Sequence, residues 1–143
     1  MAKKPEFKWN EEKGYASCCL YYKDLCFCGD AVCHPDDQDM KSKLTGMTIA
    51  ESRAIKQFLQ HIREYELKPQ LAILKQLYYS MNRSKHFNPK SYENIMLQRQ
   101  IRFIKNQIDA INEEIAKVTK NIKKYIDEKE KSYTIIRKYK AEH

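Results

Sequence analysis

A heptad seam in the C-terminal third of the chain constrains its fold more than any other feature. Apolar residues recur there in alternating steps of four and three, sustained for about four repeats, which is typical of a coiled-coil helix. The seam consists of Leu97, Ile101, Ile104, Ile108, Ile111, Ile115, Val118, Ile122 and Tyr125. A helix over residues 89–140 would be about 75 Å long, and no Gly or Pro follows Pro89 to turn it back. The remaining residues cannot build a core of that length, so the pattern predicts a homo-oligomer.

The N-terminal part of the chain predicts a β-hairpin. Residues 15–22 and 25–33 are two short runs rich in aromatic and small apolar side chains, separated by Lys23 and Asp24. This arrangement indicates a hairpin over residues 15–34. An isolated hairpin is only marginally stable, so we expect it to pack on helices or to gain a third strand. The polar residues 1–14 are expected to form an N-terminal arm.

Helical patterns fill the middle of the chain, over residues 46–84. Pro69 divides them, so the segment is expected to be two helices or one kinked helix. Thr48 and Glu51 match a capping box, and Asn88 followed by Pro89 matches the start of a helix. The predicted fold class is α+β, mostly α, with a short N-terminal β-hairpin packed on helices and a long C-terminal coiled-coil helix over residues 89–140. We expect residues 1–143 to form a single domain.

The cysteines are predicted to be small, buried side chains within the hairpin rather than ligands of a metal ion. Five Cys is an odd number, and the chain does not begin with an apolar leader, so we expect a cytoplasmic protein without a disulfide framework. Cys26, Cys28, Cys33 and His34 could supply zinc ligands. However, Cys26 and Cys28 are closer in sequence than the pairs of most structural zinc sites. We therefore predict no metal and no cofactor, although the sequence leaves metal binding by these four residues open.

The composition and motifs argue against several classes of protein. Only three Gly occur, which excludes Gly-rich phosphate loops and dinucleotide fingerprints. No run of about 18 apolar residues is present, so no membrane span is expected. The chain has neither a Gly-x-Ser-x-Gly nucleophile motif nor a convincing Cys/His pair. We therefore expect a protein that is not an enzyme.

The charge predicts an anionic partner. The net charge is +8, and residues 41–90 carry ten basic residues against three acidic ones. Such a concentration attracts anions, although solubility alone is an equally acceptable reason for it. Arg guanidinium groups match phosphate oxygens, and Tyr rings offer stacking faces for bases. The candidate ligand-binding residues are Arg53, Tyr78, Tyr79, Asn88, Arg99 and Arg102.

Two neighbouring segments carry a resemblance to a known family. The residues are Gly29-Asp-Ala31-Val-Cys33-His-Pro35-Asp-Asp37, followed by Gly46-Met-Thr-Ile49-Ala50-Glu-Ser-Arg53-Ala54. They resemble a motif of small phage proteins, and the order of elements is similar to that of the Thoeris anti-defence sponge family. The resemblance implies a small, oligomeric, non-catalytic protein in the host cytoplasm. Such a protein sequesters a cyclised ADP-ribose signal made by immune TIR enzymes.

The same resemblance implies roles for the candidate residues. Arg53 would contact a phosphate, and Tyr78 or Tyr79 would stack on a base. Asn88 would make a polar contact, and Arg99 or Arg102 would supply a further cation. Two alternatives remain open at this point. One is a phage inhibitor that binds a host defence protein such as a CRISPR nuclease, and the other is a basic nucleic-acid-binding protein.

Overall fold

The computed structural model describes residues 4–32, 40–83 and 88–142, with side chains for residues 4–32, 43–83 and 88–126. It is mostly helical, with a three-stranded antiparallel sheet first and a long helix last, which confirms the predicted fold class. Where the sequence predicts a single domain, the chain divides into two compact units. Unit 1 comprises residues 1–58 and 116–143, and unit 2 comprises residues 59–115. No helix in the described part of the chain is long and apolar enough to cross a membrane.

The sheet of unit 1 contains the predicted hairpin and one further strand. Its strands are β1 (Glu6–Asn10), β2 (Tyr15–Tyr22) and β3 (Leu25–Val32), in the order β1-β2-β3. The expectation of a polar arm over residues 1–14 is therefore wrong for the strand β1. Its Phe7 and Trp9 lie opposite Cys18 and Ala16 of β2. These two aromatic side chains alternate with polar ones, and this alternation is the pattern of a strand with one covered face.

Small residues let helix α1 (Met40–His61) lie close to the sheet. The core of unit 1 is formed by the buried side chains of Ala16, Cys18, Ala31, Ile49, Ala50 and Ala54. A Cβ atom added at Gly29 of β3 would collide with the Ala50 carbonyl oxygen and lie 2.6 Å from the Ala54 nitrogen. Gly29 is therefore required by the closeness of strand and helix.

The edges of this core are closed by larger side chains. Phe58 of α1 meets the rings of Tyr22 and Phe27 edge to face, with centroids 5.2 and 5.7 Å apart. Ile122 and Ile126, near the C-terminus, also pack against the core. Burial of these apolar groups holds the sheet, α1 and the C-terminal residues of unit 1 together.

The cysteine side chains divide between the two faces of the sheet. Cys18 faces the core and is fully buried, as expected for a small apolar residue. Cys19 points to the other face and forms a disulfide with Cys28, because the register places the two directly opposite each other. Cys26 is exposed on that same outer face. The expectation of a chain without a disulfide framework is therefore wrong for Cys19 and Cys28. The expectation of buried cysteines is wrong for Cys26 and Cys28, which are exposed.

The helical middle of the chain contains a π-helical turn at the predicted break. Helix α1 passes into a π-helical segment (Ile62–Leu67), which passes into helix α2 (Lys68–Asn82). The Lys68 N–H donates to the Arg63 carbonyl, five residues back. Pro69 has no N–H and its ring crowds the carbonyl four residues earlier, so a wider turn accommodates it without ending the helix. The helical conformation therefore continues through Pro69.

Two predicted helix starts are wrong. Thr48 lies inside α1, and its hydroxyl donates to the Leu44 carbonyl (2.9 Å) instead of capping the helix. The last helix, α3, spans Tyr92–Glu142, and Ser91 is its cap, accepting a hydrogen bond from the Asn94 N–H (3.3 Å). Asn88 forms the preceding turn, where its side-chain oxygen accepts from the Lys90 N–H (3.0 Å).

The heptad seam lies along α3 as predicted, and part of it is buried within each unit. Leu97 and Ile104 are buried in unit 2, and Ile122 packs on the core of unit 1. Ile108 and Ile111, between them, are half-buried. Pairing of the seam with a second chain remains a prediction.

Candidate nucleotide-binding cleft

A cleft in unit 2 brings together three of the sequence-predicted ligand residues. It has a volume of about 330 Å³, at the lower end of the range for small-molecule sites. Helices α2 and α3 both contribute to it, and they run antiparallel, because Arg63 bonds Asn112 while Tyr78 lines the same cleft as Gln98. The lining residues are Lys75, Tyr78, Tyr79, Gln98, Ile101, Arg102 and Lys105.

The two tyrosines differ in how much of the ring is accessible. Tyr78 is half-buried, whereas Tyr79 is 60% exposed. Their ring centroids are 6.3 Å apart, and the ring planes make an angle of 65°. Tyr79 therefore has a face available for stacking, while Tyr78 forms part of the cleft wall.

Three cations line the cleft, namely Lys75 from α2 and Arg102 and Lys105 from α3. All three are exposed, and none of the described lining residues is acidic. The cleft therefore presents a local positive potential to a ligand entering it. An Arg fork and two ammonium groups suit the oxygens of a phosphate or pyrophosphate.

A second cleft in unit 2 has a different chemistry. It has a volume of about 290 Å³ and is lined by Gln70, Ile73, Leu74, Gln100, Phe103 and Ile104. The described lining includes no charged side chain, so it offers apolar surface rather than a phosphate site. The nucleotide prediction therefore belongs to the cationic cleft.

The π-helical segment carries a small ionic network at the other end of α2. Arg63 donates to Asn112 Oδ1 of α3 (2.7 Å) and to Glu64 Oε1 (2.9 Å). Lys68 Nζ lies 2.7 Å from the same Glu64 oxygen. The Lys68 hydrogen bond and, to a smaller extent, Arg63 lower the pKa of Glu64. This network links the π-helical turn to α3 and lies outside the cleft.

Arg53 belongs to unit 1 and has a structural contact there. Its Nη1 donates to the carbonyl of Asp30 in β3 (2.6 Å), one residue after Gly29. The motif that carries the family resemblance thus includes the contact surface of β3 and α1. In the described structure this hydrogen bond engages one of the five guanidinium donors.

Asn88 and Arg99 are not among the residues that line the cleft. Asn88 shapes the turn before α3, and Arg99 is an exposed residue of α3. Cys33 and His34, two of the four candidate zinc ligands, lie outside the described residues.

Sequence reasoning missed four lining residues, although a signal for them was present. Gln98 and Lys105 stand four residues before and three residues after Arg102, Ile101 stands three residues after Gln98, and Lys75 stands three residues before Tyr78. Positions three or four apart share one face of a helix. Extending the pattern from Arg102 and Tyr78 would have found them.

No protein-family model matches this chain, and neither a curated protein nor a solved structure shows significant similarity to it.

Proposed function

We propose that this protein binds and sequesters a cyclic nucleotide immune signal of the cyclic ADP-ribose type, without catalysis, as a phage anti-defence protein in the host cytoplasm. The observation that carries the proposal is the cationic cleft of unit 2. There Tyr79 offers a stacking face beside Lys75, Arg102 and Lys105. The sequence resemblance adds the expectation of the signal's identity.

The chemistry of the cleft suits a compact nucleotide with a pyrophosphate. Three cations can neutralise its two negative charges, and the planar Arg102 fork can bond two phosphate oxygens at once. Tyr79 can stack on the base, and the Gln98 amide can donate to or accept from its edge. These groups bind and orient a ligand, which is all that sequestration requires.

A thermal-shift panel on the purified full chain tests the proposal. The panel contains cyclic ADP-ribose isomers, linear ADP-ribose, cyclic di- and trinucleotides and a short DNA duplex. At a ligand concentration a hundredfold above Kd, binding adds about 2.7 kcal/mol to the free energy of unfolding, which raises the midpoint by several degrees. We expect a shift with a cyclic ADP-ribose isomer.

Two variants and one control test whether the cationic cleft is the nucleotide-binding site. Arg102→Ala and Tyr79→Ala remove a phosphate contact and the stacking ring, and each should raise Kd at least tenfold in titration calorimetry. Arg99→Ala is the matched control, since it removes the same charge from an exposed position three residues earlier on α3. An equal loss of affinity in Arg99→Ala and Arg102→Ala would indicate non-specific attraction and contradict the cleft.

Arg53 remains a sequence-based candidate for a phosphate contact, and Arg53→Ala tests it. The family resemblance implies that the variant loses nucleotide binding while the oligomer persists, whereas a site confined to the cleft, which Arg53 does not line, implies an unchanged Kd. Because the variant also loses the hydrogen bond to Asp30, on the order of 1 kcal/mol of stability should disappear. Calorimetry must therefore be done where circular dichroism shows a folded chain, and an unchanged Kd would remove Arg53 from the site.

Other outcomes of the panel point to the alternatives. A shift with duplex DNA alone, lost steeply as salt rises, would indicate nucleic-acid binding through phosphate neutralisation. A flat panel would contradict the nucleotide proposal and direct attention to a protein target such as a CRISPR nuclease.

A further inference from the structure

Three cysteine side chains cluster on the outer face of the sheet, away from the core of unit 1. Strand alternation places Cys19 on this face, because its neighbour Cys18 points inward. The register pairs Cys19 with Cys28, and Cys26 lies two residues before Cys28 on the same face. Two adjacent strands therefore present three sulfur atoms together.

The three sulfur atoms are close enough to share one ion. The Sγ atoms of Cys19, Cys26 and Cys28 all lie within 4.8 Å of one another. Cys26 Sγ is 3.4 Å from Cys28 Sγ, and Cys28 is bonded to Cys19. Zinc–sulfur bonds of about 2.3 Å in a tetrahedral site separate two sulfurs by roughly 3.8 Å. Once the disulfide is open, side-chain rotation alone can bring the three sulfurs to these distances.

The cluster is accessible from solvent. Cys26 and Cys28 are exposed, and Cys19 is half-buried. Cys18, by contrast, is fully buried on the other face of the sheet. An ion can reach the outer cluster without unfolding the sheet, and Cys18 does not compete for it.

We infer that the reduced protein binds one thiophilic divalent ion, Zn²⁺ or a chemically similar ion, through Cys19, Cys26 and Cys28. Thiolate sulfur is the ligand that selects such ions over harder cations. Three ligands from a rigid two-strand platform leave a fourth position open to water. This function is independent of the nucleotide cleft in unit 2.

The chemistry proceeds in two balanced steps. A dithiol reductant transfers two electrons and two protons to the Cys19–Cys28 disulfide and is itself oxidised to a disulfide. The divalent ion then displaces one proton from each of the three thiols, so that three protons are released and the thiolates bind the ion. A disulfide oxidant reverses the first step, because it accepts two electrons and two protons from Cys19 and Cys28 and becomes a dithiol. The re-formed disulfide withdraws two of the three ligands and releases the ion.

The neighbouring polar pair on this face does not compete for the ion. Tyr21, opposite Cys26 in the register, donates its hydroxyl to Glu6 Oε2 (2.9 Å). The Glu6 carboxylate is therefore engaged by the Tyr21 hydroxyl.

Cobalt(II) titration of the full chain tests the inference. The protein is reduced with a phosphine, kept free of oxygen and titrated with Co²⁺, whose thiolate charge-transfer absorption reports sulfur ligation. We expect one Co²⁺ per chain, displaced by Zn²⁺, with the release of about three protons. The oxidised protein, with its disulfide intact, should show no such absorption.

Cys26→Ser is the decisive variant, because it leaves the disulfide and the core untouched and should fold as the parent does. We expect it to weaken Co²⁺ binding more than about tenfold. Cys18→Ala is the control, because Cys18 is a free cysteine whose side chain is buried on the other face of the sheet, and it should bind as the parent does. Circular dichroism before titration establishes that each variant is folded.

Two outcomes would overturn the inference. Unchanged Co²⁺ affinity in Cys26→Ser would show that Cys26 is not a ligand. Loss of binding in a folded Cys18→Ala variant would show that the ligand set is not the cluster on the outer face. Neither result bears on the cleft, so the nucleotide proposal is tested separately.

Discussion

At the scale of single residues, the motif that suggests a family is explained by packing. Gly29 gives β3 room to approach the backbone of Ala50 and Ala54, and the Arg53 guanidinium bonds the Asp30 carbonyl beside it. These contacts hold strand and helix in place whatever the protein binds. The small residues and the Arg of this motif thus have a structural role, because they set the distance between the sheet and α1. That role does not depend on a ligand.

Gly29→Ala tests this spacing. The added Cβ would lie 2.7 Å from Arg53 Cβ and 2.6 Å from the Ala54 nitrogen, so strand and helix must separate. We expect a loss of about 1–3 kcal/mol in the free energy of unfolding, measured by urea denaturation. Ser17→Ala, on the outer face of β2, is the control and should change stability by less than about 0.5 kcal/mol. Equal stability of the two variants would contradict the close packing.

At the scale of elements, local patterns predicted the existence of the helices better than their ends. Thr48 has the sequence of a cap but lies inside α1, because the residues before it are helical as well. The Asn88 side chain could also cap a helix, yet the Ser91 hydroxyl accepts the capping hydrogen bond of α3. Several residues near a boundary can cap, and the tertiary position of the turn decides which of them does so.

Substitution at Ser91 distinguishes these two candidates. Ser91→Ala removes the acceptor for the Asn94 N–H and should cost about 0.5–2 kcal/mol of stability. Ser91→Asp restores an acceptor and should lie close to the parent protein in urea denaturation. If Asn88→Ala destabilised the chain more than Ser91→Ala, the helix would be capped by Asn88 after all.

At the scale of the whole molecule, the heptad seam of α3 contributes apolar side chains to the core of each unit. Leu97 and Ile104 are buried in unit 2, and Ile122 packs in unit 1. The half-buried Ile108 and Ile111 lie on the same stripe. This incomplete burial is the basis for the continuing prediction that the chain self-associates along α3.

Ile111→Asp tests that prediction. A carboxylate on the seam would have to be desolvated in a helix–helix interface, so the variant should dissociate into smaller species. Sedimentation velocity measures the change across a concentration series. Asn106→Asp adds the same charge at an exposed position of α3 and should sediment as the parent does. A parent chain that is monomeric at all concentrations would refute self-association.

The amino-acid sequence by itself determined the fold class, because periodicity of apolar residues is a local property. The hairpin, the irregular turn before Pro69 and the length of α3 all follow from spacing and residue type. It also proposed Tyr78, Tyr79 and Arg102 as ligand residues, because these residue types suit a nucleotide, and all three line one cleft.

Only the tertiary structure decided which of these residues meet. The antiparallel arrangement of α2 and α3 brings Tyr79 beside Arg102 and adds Lys75, while Arg99 stays outside the cleft. Sheet register likewise joins Cys19 to Cys28 and places Cys26 next to them. Both outcomes depend on pairing between distant segments, and a spacing pattern within one segment carries no information about its partner.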